Sequence, residues 1–353
     1  MEALNELLKE NLKPIVNKID TDAYYPKEIL QLLGDHGYFH SGLLPYEETV
    51  RREVKVVEEI SKFCMTTGFN VWCHLAALTY VRHTSNKAFQ SRLLPELEQG
   101  HTIAGTGLSN PMKHYADLEP IHLDAESVHG GYMLSGTLPA VSNLRDGHWF
   151  GAVAKVHDDK RIMVFINCND EDIDRKEKKA YLGLNGSATY ACRLDQLFIP
   201  DDQVLAEDAD AFISSVRPYF LVYQIPLGFG VIQASLRSID MAKKKQGGCN
   251  DYLPIQSEDL EKPLEKMQHS LEQLFKDQKS LEWNDLLPIR RDAAYEAINA
   301  AHTAMVHVGG PGYMHNSAPS RRLREAYFLI NLTPTIRHLE KMIELNKEPV
   351  LQY

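Results

Sequence analysis

Over the first hundred residues, apolar side chains recur at spacings of three and four. Leu4, Leu7 and Leu8 form one such set, Ile29, Leu32 and Leu33 a second, and Val54, Val57, Ile60 and Phe63 a third. Each set falls on one face of an α-helix. Tyr25-Pro26-Lys27-Glu28 predicts a helix start, because proline's missing N–H is tolerated in the first turn. Gly37 and Gly42 punctuate the loop after that helix. From about residue 103 to 206 the period changes to two. Runs 132–136, 148–154 and 161–166 are rich in β-formers, with hairpin turns expected at His129-Gly130-Gly131 and His157-Asp158-Asp159. A last strand, 191–199, stops at Pro200. The helical period returns at about 209. It predicts a very apolar helix over 220–242, buried in a bundle, a loop over 246–257, amphipathic helices over 258–280 and 289–308, and a last one over 334–347.

Composition narrows the class of protein. Of 353 residues, 44% are hydrophobic and 24% charged, as in an ordinary globular chain of two or three structural units. The formal net charge is −10 and no basic cluster is dense enough to track a phosphate backbone, so nucleic acid is not an expected partner. The longest basic run, Lys243-Lys244-Lys245, reads as a solvated helix end. No stretch of consecutive apolar residues approaches the ~18 to 20 that span a bilayer. The segment MEALNELLKENLKPIV is amphipathic and lacks the pattern of a secretory signal, so a cytoplasmic location is expected. Cys64, Cys73, Cys168, Cys192 and Cys249 show no C-x-x-C spacing; reduced, buried thiols and no metal site are expected.

Four local patterns carry more information. The first is Leu93-Leu94-Pro95-Glu96-Leu97-Glu98-Gln99-Gly100, followed by Ala104-Gly105-Thr106-Gly107-Leu108-Ser109-Asn110-Pro111. The second runs from Gly131-Tyr132-Met133-Leu134-Ser135-Gly136-Thr137 to Val141-Ser142-Asn143. The third is Leu182-Gly183-Leu184-Asn185-Gly186-Ser187-Ala188-Thr189 with Phe198-Ile199-Pro200 and Val204-Leu205. The fourth is His307-Val308-Gly309-Gly310-Pro311-Gly312-Tyr313, then Arg322-Leu323-Arg324-Glu325-Ala326. In this order they resemble the acyl-CoA dehydrogenase patterns LPxLxxG with A-x-T-E-P-G-x-G-S-D, GYxLNGxKxWITN, G-x-R-G-S-x-T, and Q-x-x-G-G-x-G followed by R-x-x-R-D-A. The resemblance covers nearly the whole chain and is weakest over 243–285. It implies an α+β multidomain fold: an N-terminal all-helical domain (1–102), a central small antiparallel β-barrel or sandwich (103–208), and a C-terminal four-helix bundle (209–353).

The resemblance also implies FAD. A flavin ring needs apolar surface and hydrogen bonds at its N5, O4 and N1 edge. By position, Ser109 replaces the Thr of T-E-P and Ser142 the Thr of W-I-T, so both hydroxyls survive. Leu108 and Val141 are expected to give apolar or backbone contacts, and Ala140 stands where the family has a tryptophan wall. Met112-Lys113-His114-Tyr115-Ala116-Asp117 replaces the glycine-rich end of the first motif, leaving open whether Tyr115 or Ala116 faces the site. The family grips the rest of FAD partly from a neighbouring subunit. For that clamp Gly309, Gly310, Thr333 and Thr335 remain, while Val306 stands at the Gln position and Lys243-Lys244-Lys245-Gln246-Gly247 replaces R-x-x-F-G. A homodimer or homotetramer is therefore expected, with an electron-transfer flavoprotein or a flavin reductase as a redox partner.

Desaturating an acyl thioester requires a base for the α-proton. The family carries that carboxylate in Y-E-G-T near its C-terminus or on the first helix of the bundle. Here the first spot falls on Asn331 or Thr333, and no acid occurs between Glu325 and Glu340. The second spot, 214–224, has none either. His74, His114 and His307 remain as candidate bases, although a lone histidine in such a segment is more often a satisfied core or surface residue. Three readings follow: a dehydrogenase-like flavoenzyme acting on an acyl-CoA or related small substrate with a relocated base, a flavin oxygenase or oxidase that needs none, and a non-catalytic relative.

Overall fold

The computed structural model describes residues 1–347 apart from 43, 158, 179, 244–246 and 277–280. Helices α1 (Glu2–Asn11), α2 (Val16–Thr21), α3 (Lys27–Asp35), α4 (Tyr46–Phe63), α5 (Met65–His83) and α6 (Lys87–Glu98) open the chain. The expected start of α3 is observed, with Pro26 at its N-cap. Strand β1 (Ala104–Thr106) and the short α7 (Ser109–His114) lead into β2 (Leu123–Val128), β3 (Gly131–Val141), β4 (Trp149–His157) and β5 (Lys160–Asn167). Strands β6 (Ile173–Glu177), β7 (Tyr190–Pro200) and β8 (Val204–Ala206) complete the sheet. The remainder is helical: α8 (Ala209–Val222), α9 (Ile225–Lys243), α10 (Ser257–Lys276), α11 (Trp283–Val308), α12 (Gly310–Tyr313), α13 (Ala318–Asn331) and α14 (Ile336–Leu345).

The strands form one sheet in the order β6-β7-β3-β2-β4-β5-β8, with β1 beside β4. It is mostly antiparallel, but β1–β4 and β2–β4 pair in parallel. The β2–β3 turn at Gly130 is the expected hairpin, with glycine at φ +81°. The β4–β5 hairpin is also present, although residue 158 of its expected turn lies outside the described residues. One apolar core joins the helices before the sheet to those after it, and a second core packs one side of the sheet through Leu134, Leu138, Phe150 and Ile162.

Several expectations need correction. The apolar run 220–242 is not one helix: α8 and α9 are separated at Tyr223 and Gln224, just before Pro226, whose ring cannot continue a helical hydrogen-bond ladder. Residues 209–243 are apolar and long enough for a bilayer span by composition, yet they are mostly buried inside the protein. Helix α11 starts at Trp283 rather than 289, and α13 has no counterpart in the periodicity. Cys249 is exposed, while the other four thiols are buried. Of the basic run, residues 244 and 245 lie outside the described residues, as does Gln246.

A buried ion network ties the opening helices to α8's end. Arg82 donates to Glu53 at 2.9 Å and Glu98 at 3.1 Å, with all three side chains at most 7% exposed. Tyr223 donates its hydroxyl to the other oxygen of Glu53. Removing one member of such a network strands charge in a low dielectric, so the network fixes geometry more than it adds stability.

Candidate flavin-ring cavity

A cavity of about 150 Å³ lies where α5, α8 and α13 meet the sheet. Its aromatic side comes from Phe69 and Trp72 on α5, Phe220 on α8 and Phe328 on α13. Phe69 packs edge-on against Phe328, with ring centroids 5.1 Å apart, and Trp72 does the same with Phe220 at 5.0 Å. The Trp72 indole N–H is bound to the Phe220 carbonyl at 2.9 Å, which fixes the ring.

The rest of the lining is rich in hydroxyls. Ser109 Oγ meets Thr333 Oγ1 at 3.0 Å, joining the start of α7 to the segment after α13. Ser142 Oγ meets Thr189 Oγ1 at 2.8 Å, and Thr189 also meets Ser187 Oγ at 2.9 Å. Thr106 Oγ1 is held by the Tyr80 hydroxyl at 2.8 Å. Each hydroxyl keeps lone pairs beyond these contacts, so the set stays open to a ligand's polar edge.

The backbone around these hydroxyls is unusual. Asn143, Leu184 and Ala188 all have left-handed φ, at 66°, 61° and 48°. Non-glycine residues hold such angles only where surrounding contacts fix them. Here the Asn143 N–H donates to Ser187 O and the Leu144 N–H to Ala188 O, both at 3.0 Å. The Asn143 side chain accepts from Tyr25 at 2.7 Å and donates to Ala104 O at 2.8 Å. Gly105 belongs to the same device: a Cβ there would sit 2.1 Å from the Ser142 carbonyl oxygen.

Behind the hydroxyls stands a charge without a carboxylate. Arg290 is fully buried and donates to Gln224 Oε1 and Leu329 O, both at 2.9 Å. Gln224 in turn donates to the Thr333 carbonyl at 2.9 Å. Burial lowers the Arg290 pKa to about 9.

Ser109, Ala140, Ser142 and Thr333 therefore come together at one cavity. Leu108 and Val141 are buried in the cores flanking it and do not line it. Tyr115 points elsewhere, donating to Asp210 at 2.8 Å, and Thr335 caps α14. Gly309 and Gly310 lie at the α11–α12 junction, where a Cβ would meet nothing within 4 Å. Sequence reasoning missed Thr106, Ser187 and Thr189, although all three lie within the quoted patterns, and missed the four aromatic residues.

None of the described lining residues is Asp or Glu. Asn331 lines the cavity and donates its amide to Tyr327 O at 2.9 Å. Glu325 turns away: its Oε1 accepts from the N–H groups of Met65 and Thr66, at 3.1 and 3.3 Å, and so caps α5. Burial raises its pKa despite Arg321 at 3.6 Å. The histidines are placed structurally, and none lines the cavity. His74 lies between Leu97 O (3.0 Å) and the Ala104 N–H (3.2 Å), with burial lowering its pKa to about 3. His307 contacts Ile255 O at 2.9 Å and His114 contacts Glu119 O at 3.3 Å.

The order of helices, one sheet and further helices is the fold of acyl-CoA dehydrogenases of known structure. Residues 1–101 match the family profile "Acyl-CoA dehydrogenase, N-terminal domain". The mitochondrial isovaleryl-CoA dehydrogenase of Oryza sativa subsp. japonica is 24% identical over 350 residues, covering 92% of this chain and 84% of its own. Butyryl-CoA dehydrogenase from Megasphaera elsdenii superposes with a TM-score of 0.87 at 15% identity, over 98% of this chain and 96% of that one. A glutaryl-CoA dehydrogenase from Mycobacterium smegmatis, solved in complex with FADH2, gives 0.81 at 17% identity, over 99% and 94%. Residues 1–101 thus carry an acyl-CoA dehydrogenase N-terminal domain, and over nearly its whole length the chain is similar to acyl-CoA dehydrogenases in sequence and in fold.

Proposed function

We propose that the protein is an FAD-dependent oxidoreductase of acyl-CoA or related small acyl substrates that works without a side-chain carboxylate at either usual position of the base. The observation that carries this is the cavity lining: aromatic residues from three helices share it with hydroxyls from β1, α7 and the segments after β3, before β7 and after α13, without a charged side chain among the described lining residues. A planar ring with a polar edge fits such a lining. Ser109, Ser142, Thr189 and Thr333 would hold that edge, and the aromatic side would exclude water from it. Bound FAD would supply the hydride acceptor. Neither Asn331 nor Thr333, the two positions where the resemblance places the acid, can take a proton from carbon at a useful rate. A homodimer or homotetramer would complete the cofactor site through Gly309 and Gly310.

One observation favours a second reading. Ala140 leaves the wall open where the family has tryptophan, and a flavin oxygenase or oxidase needs no α-proton base. Anaerobic addition of isovaleryl-CoA or butyryl-CoA to the FAD-loaded protein separates the two. Bleaching near 450 nm supports the first reading, whereas bleaching only by an added flavin reductase, followed by oxygen consumption, supports the second. A flavin that neither donor bleaches contradicts both.

A further inference from the structure

A separate cleft of about 420 Å³ lies between α1, the end of α4, α9 and the start of α13, and shares no lining residue with the cavity. Lys9, Lys13, Lys62, Arg237, Arg321 and Arg322 line it, and no acidic residue does. On a chain of net charge −10 this is a local reversal of sign. Three of the cations already have a carboxylate: Lys9 has Glu6 at 2.8 Å, Lys62 has Glu59 at 2.5 Å, and Arg321 has Glu325 at 3.6 Å. Lys13, Arg237 and Arg322 have no carboxylate within 4 Å among the described residues.

Arg322 is the decisive residue. It is only 5% exposed, yet it faces the cleft. Ser238 Oγ accepts from its Nη2, and its Nε has no hydrogen-bond partner. Burial lowers its pKa to about 9. A desolvated guanidinium without a counter-ion weakens the folded state. Inside the fold only the charge of Glu325 offsets that cost in part, and its Oε1 is already engaged by Arg321 and two backbone N–H groups. Guanidinium forks match phosphate oxygens in geometry and charge. Phe63 and the exposed Met241 give the same cleft an apolar wall suited to an organic moiety.

We propose that this cleft binds a phosphate-bearing small molecule, with Arg322 and Arg237 as anchors and Lys13 as a third cation. The proposal is independent of the flavin reading, since the two sites share no residue. Calorimetric titration of the full chain at fixed ionic strength in chloride tests it, using inorganic pyrophosphate and ATP as probes. Saturable binding is expected. Tighter binding of ATP would identify an organic phosphate as the ligand, and equal binding a bare phosphate group. R322Q is expected to weaken binding by tenfold or more and R237Q by several-fold, while R291Q, outside the cleft, leaves it unchanged. Thermal melts control for folding. Without the anion, R322Q should melt at or above the wild-type temperature, because an unpaired buried charge has been removed. With pyrophosphate, only the wild type should gain stability. A wild type that shows neither heat nor a melting shift with either probe overturns the proposal, as do R322Q and R237Q proteins that bind like the wild type.

Discussion

Ser109 and Thr333 meet hydroxyl to hydroxyl at 3.0 Å, although 224 positions separate them. The contact closes the cavity between the sheet entrance and the end of α13, and Gln224 and Arg290 fix Thr333 from behind. If these hydroxyls hold a flavin edge, S109A and T333V should each weaken FAD binding about five- to tenfold, the equivalent of one hydrogen bond of about 1 to 1.5 kcal/mol. Fluorescence quenching of FAD measures the effect. T333S, which keeps the hydroxyl, should bind close to wild type.

Glu325 links the helices that carry Phe328 and Phe69, capping α5 from within α13. E325A removes the acceptor and leaves Arg321 buried without its partner, so a loss of about 3 to 5 kcal/mol is expected in chemical denaturation. E325Q still accepts from Met65 and Thr66 and should lose less.

Stability should fall as pH drops from about 6.5 towards 4. Burial lowers the pKa of His74 to about 3 and those of His148 and His338 to about 4. Each is neutral in the folded chain but takes up a proton in the unfolded chain below its ordinary value near 6.5. The unfolded state therefore binds more protons in that window, and stability rises with pH across it. His338 has no partner on either ring nitrogen, so H338N should flatten the dependence of melting temperature on pH between 5 and 6.5. An unchanged slope would exclude His338 as a contributor.

The hairpins and the order of helix, sheet and helix were legible because their apolar periods are clean. Helix α13 was not, because its buried face mixes the charged Arg321, Arg322 and Glu325 with Pro319, Ala326 and Leu329, which breaks the apolar period. The break between α8 and α9 was hidden inside a uniformly apolar run. At the cavity, Ser109, Ala140 and Ser142 were found through the family patterns. Phe69, Trp72, Phe220 and Phe328 were not, since an aromatic residue in a buried helix looks the same whether it packs a core or lines a ligand site. Only the tertiary meeting of α5, α8 and α13 distinguishes the two.

If the empty base position limits the chemistry, supplying an acid should change it. N331E on the FAD-loaded protein is expected to increase the rate of anaerobic flavin bleaching by an acyl-CoA at least tenfold, within the range positioned acid–base groups contribute. Stopped-flow absorbance reads the rate. An unchanged rate would show that position 331 does not reach the α-carbon.

The central claim is that the cavity lined by these aromatic residues and hydroxyls holds a flavin ring. Titrating the purified chain with FAD while recording the visible spectrum tests it most directly. Saturation at one FAD per chain is expected, with a resolved, red-shifted flavin band, and A140W should compete for the same space and reduce uptake. A chain that stays colourless in excess FAD, or whose uptake is indifferent to changes at Ala140, Ser142 and Thr333, would contradict it.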